Sequence, residues 1–147
     1  MTRAVTEETV KALYPGYSDG YSWCFHDYQP IIGFIGNVAH QVDDKDYQGD
    51  SRILFKDGDR WGVLIFGWGS CSGCDVLQAC DSPAEVVKVI EDMVRDTKWF
   101  ESTAAALDWF ENRDWEGSYS WYQEETKRFV TEAKDILRAA LTERRAA

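Results

Sequence analysis

Arg52-Ile53-Leu54-Phe55-Lys56-Asp57-Gly58-Asp59-Arg60-Trp61-Gly62-Val63-Leu64-Ile65-Phe66 is the stretch whose reading decides the fold. Two arms, Arg52–Phe55 and Trp61–Phe66, flank the polar Lys56-Asp57-Gly58-Asp59-Arg60. Such arms joined through Asp-Gly form a β-hairpin, because glycine supplies the positive φ that a tight turn between strands demands. The arms are apolar at consecutive positions rather than alternating ones, so both faces of these strands are expected to be covered.

Upstream of the hairpin, Ile31-Ile32-Gly33-Phe34-Ile35-Gly36-Asn37-Val38 follows Pro30 and reads as a strand bulged or interrupted at its glycines. Tyr21–Phe25 reads as a further strand candidate in an irregular aromatic stretch, and Thr6–Leu13 as a short helix stopped by Pro15-Gly16. Asp43-Asp44-Lys45-Asp46 reads as a charged loop. Downstream, Ser82-Pro83-Ala84-Glu85 has the form of a capping box, and Val86, Val89, Ile90, Met93 and Val94 continue it as the buried stripe of a helix. Lys98–Phe100 reads as a short strand, Ser102 as the cap of another helix, and Phe129, Val130, Ala133, Ile136 and Leu137 as the inner face of a long helix over about Gln123–Thr142. Strands come first and helices second. That order predicts one α+β domain over residues 1–147, a small antiparallel sheet with the hairpin central and three to four helices covering one face. Trp61, Val63, Leu64, Ile65, Phe66, Ile90, Phe129 and Ile136 are the expected core.

The second hairpin arm empties into Gly67-Trp68-Gly69-Ser70-Cys71-Ser72-Gly73-Cys74-Asp75, with Gln78 and Cys80 close behind. A rigid strand feeding a loop of small residues is how chains hold backbone groups and thiols in fixed positions. Trp68, Ser70, Ser72, Asp75 and Gln78 are therefore candidate binding residues. Cys71 and Cys74 have the spacing of a zinc knuckle, and Cys80 is a candidate third thiolate. The fourth ligand would come from Cys24, His26 or His40, because no second close pair of cysteines follows. The same Cys-x-x-Cys could be a redox pair, although in thioredoxin-like proteins that motif opens a helix inside a βαβ unit. A cysteine nucleophile would need His26 or His40 as its base. The glycines and serines could cradle an anion with Trp68 stacked on a base, yet the spacing is neither G-x-G-x-x-G nor a Walker A loop. A tight loop with cysteines packed as small hydrophobes explains the same residues without any ligand.

The chain has a formal net charge of −10, with 44% hydrophobic and 14% aromatic residues, so it carries enough apolar content for a core. Residues 75–125 hold 13 acidic and 4 basic side chains, a net charge of −9. That segment repels phosphate backbones, which argues against direct nucleic-acid binding and for a basic protein partner. Within it Asp114, Trp115, Glu116, Tyr119 and Trp121 have the composition of a protein-binding surface, rings as anchors and acids as steering charges. A solvated acidic face with its tryptophans in the core is the plainer reading. No apolar run is long enough to cross a bilayer, MTRAVTEETV has no signal-peptide character, and four cysteines then read as reduced thiols in the cytoplasm.

Tyr47-Gln48-Gly49-Asp50, the hairpin, Gly67–Gln78 with its Gly-Ser-Cys-Ser-Gly-Cys-Asp core, and Asp114-Trp115-Glu116 with Tyr119-Ser120-Trp121 occur together in this chain. In that combination it resembles a family of small bacteriophage and bacterial proteins, phages of actinobacteria among them, over roughly residues 45–125. The resemblance implies a phage or mobile-element setting and a role in binding and disabling a host factor; it transfers no catalytic residue. The expected function is thus a non-enzymatic, phage-encoded binding protein, an inhibitor or counter-defence factor that engages a basic host protein through its acidic aromatic surface. The alternative is a small enzyme or nucleotide-binding protein built on the Gly67–Asp75 loop, with zinc as the one cofactor its thiolates would hold.

Overall fold

The computed structural model describes residues 4–18, 21–45, 47–71, 73–115 and 124–146. In chain order they form α1 (Glu7–Leu13), α2 (Gln29–Ile35), β1 (Val38–Asp43), β2 (Gly49–Asp57), β3 (Arg60–Trp68), α3 (Pro83–Asp96), β4 (Lys98–Phe100), α4 (Thr103–Asn112) and α5 (Glu124–Ala146). The fold is α+β, built on a four-stranded antiparallel sheet of order β1-β2-β3-β4 with the hairpin at its centre. Asp57 pairs with Arg60 across the turn. Gly58 is the one described residue with a positive φ, +60°, which is the pattern of a type II′ turn with glycine at its first central position.

Consecutive apolar positions on the hairpin are explained by two cores. Ile53, Phe55 and Leu64 point to one face and pack with Val10, Ile31, Ile32, Val86, Ile90 and Met93 of α1, α2 and α3. Leu54, Trp61 and Val63 point to the other and pack with Ala106, Phe110, Phe129, Ala133 and Leu137 of α4 and α5. The sheet is therefore covered on both faces, where the order of elements alone suggested one. Of the expected core, Trp61, Val63, Leu64, Ile90 and Phe129 are buried, while Phe66 and Ile136 are half-buried. Ile65 is 38% exposed, because it stands past Val63, the last β3 residue paired to β4.

Ile31–Ile35 is helical rather than extended. Pro30 sits in the first turn, where its missing N–H leaves no bond unmade. The Asp27 carboxylate accepts from the Gln29 N–H at 3.0 Å, and Ile31 and Ile32 meet the core from one helical face. The strand begins only at Val38, and residues 23–26 form a turn instead of a strand. The Ser82 box is also differently wired: its hydroxyl donates to Glu85 rather than capping an N–H, and Glu85 also accepts from the Asp81 N–H. A true capping box closes α1 between Thr6 and Thr9, and Ser102 caps α4 by accepting from the Ala105 N–H.

Arg52 lies on the α5 side of β2 and is completely buried. Its Nε donates to Thr126 Oγ1 at 3.1 Å and its Nη1 to Asp44 Oδ1 at 2.9 Å, so it ties β2 to α5 and to the loop after β1. Asp50, close by, has its carboxyl pKa raised by burial and by Asp44, with Arg52 opposing. Removing a buried partner strands the other charge, so Arg52→Met is expected to cost about 3 kcal/mol in urea denaturation. A change under about 0.5 kcal/mol would show that the guanidinium contributes nothing to the link.

Candidate functional site

Asp75 organises the segment after β3. Its side chain is buried, and its Oδ1 accepts from the Tyr28 hydroxyl at 2.9 Å and from the Leu77 and Gln78 N–H groups at 2.9 and 3.0 Å. Its Oδ2 accepts from the Gly69 N–H at 2.8 Å. A carboxylate only accepts, and here every neighbour donates, so the group is satisfied despite its burial. The bonds to Leu77 and Gln78 are those of a helix cap, and they start the single turn over residues 76–79. Gln78 returns its amide to the Gly69 carbonyl at 2.8 Å, so Gly69 is held at both backbone groups. A Cβ on Gly69 would lie 2.5 Å from the Cys74 carbonyl oxygen and 2.7 Å from its sulfur, and only glycine fits there.

Above this base stand Cys71 and Cys74, both exposed and both free thiols. The Cys74 N–H donates to the Cys71 carbonyl at 3.1 Å, closing a turn, and the Cys71 N–H donates back to the Cys74 sulfur at 3.0 Å. The two sulfurs are 2.7 Å apart. The Cys71 hydrogen bond is the largest cause lowering the Cys74 thiol pKa; burial opposes it, and backbone N–H groups of Cys71 and Ser70 add to it. Cys80 is a different kind of cysteine. It is buried, donates to the Val76 carbonyl at 3.3 Å, and is pushed up to about 11 by burial first and then by Glu85, Asp81 and Asp75.

Two grooves meet at Tyr28, whose phenol is pushed well above its ordinary value by burial and by its hydrogen bond to Asp75. One, of about 650 Å³, runs between α3 and the loop, walled by Phe66, Val76, Cys80, Val89 and Met93, with Glu85, Asp92, Asp96 and Lys88 also lining it. The other, of about 400 Å³, is polar: Asp27, Asp43, Asp44 and Asp75 line it against Lys45 and His26. An acid-rich groove repels a phosphate. The loop offers little for an anion either, since the N–H groups of Gly69, Cys71 and Cys74 are already bonded within it.

These positions sort the candidate residues. Trp68 is half-buried, with its indole N–H on Ser51 Oγ at 2.9 Å; Ser70 is exposed; Asp75 and Gln78 hold the loop together. Ser72, Glu116, Tyr119 and Trp121 lie outside the described residues. Trp115 is in the core: it stacks on Phe110, and its N–H bonds the Phe110 carbonyl at 2.9 Å, so it offers no exposed ring. Asp114 is exposed beside it. Among the described residues neither histidine hydrogen-bonds a thiol. His26 Nδ1 pairs with the Trp23 carbonyl, and His40 pairs with Glu132 and stacks on Phe129, on the opposite face of the sheet. Tyr28, Phe66, Val76 and Met93 line the apolar groove and were not among the candidates. The signal available for them was Val76, an apolar residue set between the loop's aspartate and the helix stripe.

No helix among the described residues is long and apolar enough to cross a membrane. No family model matches the sequence, and no curated protein or solved structure matches it either.

Among the described residues no three His, Cys, Asp or Glu side chains gather as a metal site, and Cys80 points into the core instead of joining Cys71 and Cys74. Protein purified without chelator is therefore expected to carry less than about 0.1 equivalent of zinc by elemental analysis. About one equivalent, lost on replacing Cys71, would restore the zinc reading.

Proposed function

We propose that this protein is a binding protein whose partner is a basic protein segment that sets apolar side chains into the groove between α3 and the loop. The observation that carries this reading is the pairing of an apolar wall with acids along one groove. Val76 is 65% exposed at its edge, an apolar side chain left in water where a partner would cover it. Glu85, Asp92 and Asp96 belong to the acid-rich segment 75–125. Arg95 at 2.9 Å and Lys88 at 4.0 Å pair with Asp92, but these are exposed pairs of small energy, and the segment remains strongly negative.

This moves the binding surface along the chain. Glu85, Asp92 and Asp96, from the same acid-rich segment, take the place of Asp114 and Glu116, and the apolar anchoring comes from Phe66, Val76 and Met93 in place of Trp115. A phage setting, which the resemblance implies, makes the partner a basic host protein in the host cytoplasm and the role that of an inhibitor. The small-enzyme and nucleotide alternatives lose support from the acid-lined polar groove and from thiols without a histidine base.

A fluorescent amphipathic peptide of leucine and lysine is a suitable probe, with a leucine–glutamate peptide as control. The basic peptide is expected to bind and to weaken with added salt. Reversing Glu85 and Asp92 to Lys together should weaken it about tenfold, or ~1.4 kcal/mol, and Val76→Ser several-fold. Equal binding of both peptides, or indifference to all three substitutions, would overturn the reading.

A further inference from the structure

Cys71 and Cys74 are placed as a reacting pair. Both are exposed, their sulfurs are 2.7 Å apart, and the Cys74 N–H bonds the Cys71 carbonyl at 3.1 Å, which holds their backbones together. An i to i+3 backbone bond of this kind leaves the two Cα atoms within about 7 Å, the reach of a disulfide. Sulfurs already this close need to approach by less than about 1 Å to reach the ~2.05 Å of a bond. The turn is held from beneath: Asp75 and Gln78 clamp Gly69, and Gly69 packs directly under Cys74. The thiols thus already stand within reach of one another.

We propose that Cys71 and Cys74 form a reversible dithiol–disulfide couple that reduces disulfides of other molecules. The thiolate of Cys74 attacks one sulfur of a disulfide R–S–S–R′, forming a mixed disulfide and releasing R′–S⁻, which takes up a proton. Cys71, deprotonated to solvent, then attacks the Cys74 sulfur. The Cys71–Cys74 disulfide forms and R–S⁻ leaves. Two thiols of this chain are oxidised and one external disulfide is reduced to two thiols; a monothiol reductant in excess reverses the same steps.

Cys74 is the attacking sulfur because hydrogen bonds from Cys71 and the loop backbone favour its thiolate, and Cys71 is the resolving one. Cys80, buried against the core, and Cys24, half-buried, stand apart from the exchange. No histidine is needed, since thiolates are themselves the nucleophiles and leaving groups. The inference does not depend on the groove, and loss of peptide binding would leave it standing.

The test uses the full-length reduced protein with oxidised glutathione, acid quenching and mass analysis with peptide mapping. Wild type is expected to lose two hydrogens through a Cys71–Cys74 link and to retain no glutathione. Cys71→Ser is expected to trap glutathione on Cys74, and Cys74→Ser to react roughly tenfold more slowly than Cys71→Ser. Wild type that accumulates glutathione adducts as Cys71→Ser does would overturn the proposal. So would native Cys71 and Cys74 that stay reduced while the denatured chain is oxidised.

Discussion

One buried carboxylate governs the loop end of this molecule. Asp75 receives hydrogen bonds from Tyr28, Gly69, Leu77 and Gln78, which come from the segment before α2, the end of β3 and the turn before α3. Hydrogen bonds to a charged acceptor contribute more than neutral ones, and a buried carboxylate without them would be strongly destabilising. The loop and the carboxylate therefore stabilise each other or fail together. Tyr28, packed on Phe66 with ring centroids 4.8 Å apart, carries that order into the sheet and divides the apolar groove from the polar one.

The sheet is the frame on which this arrangement hangs. Its two-sided burial requires helices on both faces, and each face does a different job. On the α4–α5 face Trp61 bonds Thr103 at 2.9 Å, Arg52 bonds Thr126, and the aromatic rings of Phe110, Trp115 and Phe129 pack together. The α1–α3 face supports the loop, and its outer margin is where apolar side chains and acids reach solvent together. Both proposed activities lie on this second side, which is where a partner or a disulfide could approach without disturbing the structural core.

Much of this was legible from residues alone. The hairpin, its glycine turn, α3, β4, α4 and α5 follow from local pattern, because apolar spacing and turn chemistry act within a few residues. The failures share a cause, which is information held by distant partners. Ile31–Ile35 is a short apolar run whose period does not separate helix from strand, and Pro30 with the Asp27 bond to the Gln29 N–H decides it. In β1 only Val42 is buried, so no alternation announces that strand; its pairing with β2 does. Trp115 has the look of a surface ring among acids until Phe110 is seen beneath it. Cys80 is near Cys71 and Cys74 in sequence, yet the turn that Asp75 starts carries it inward. That the hairpin empties into a loop of small residues was readable, but the residue that builds the loop depends on Tyr28, 47 positions away.

The central claim is that Asp75 builds the loop, and amide hydrogen exchange reads it directly. The Gly69, Leu77 and Gln78 amides donate to that carboxylate, while the Leu54 and Leu64 amides in the central hairpin report the sheet. The account predicts slow exchange at all five in the wild type. In Asp75→Ala it predicts fast exchange at Gly69, Leu77 and Gln78, with Leu54 and Leu64 still protected. Unprotected loop amides in the wild type, or loop protection that survives the substitution, would contradict it.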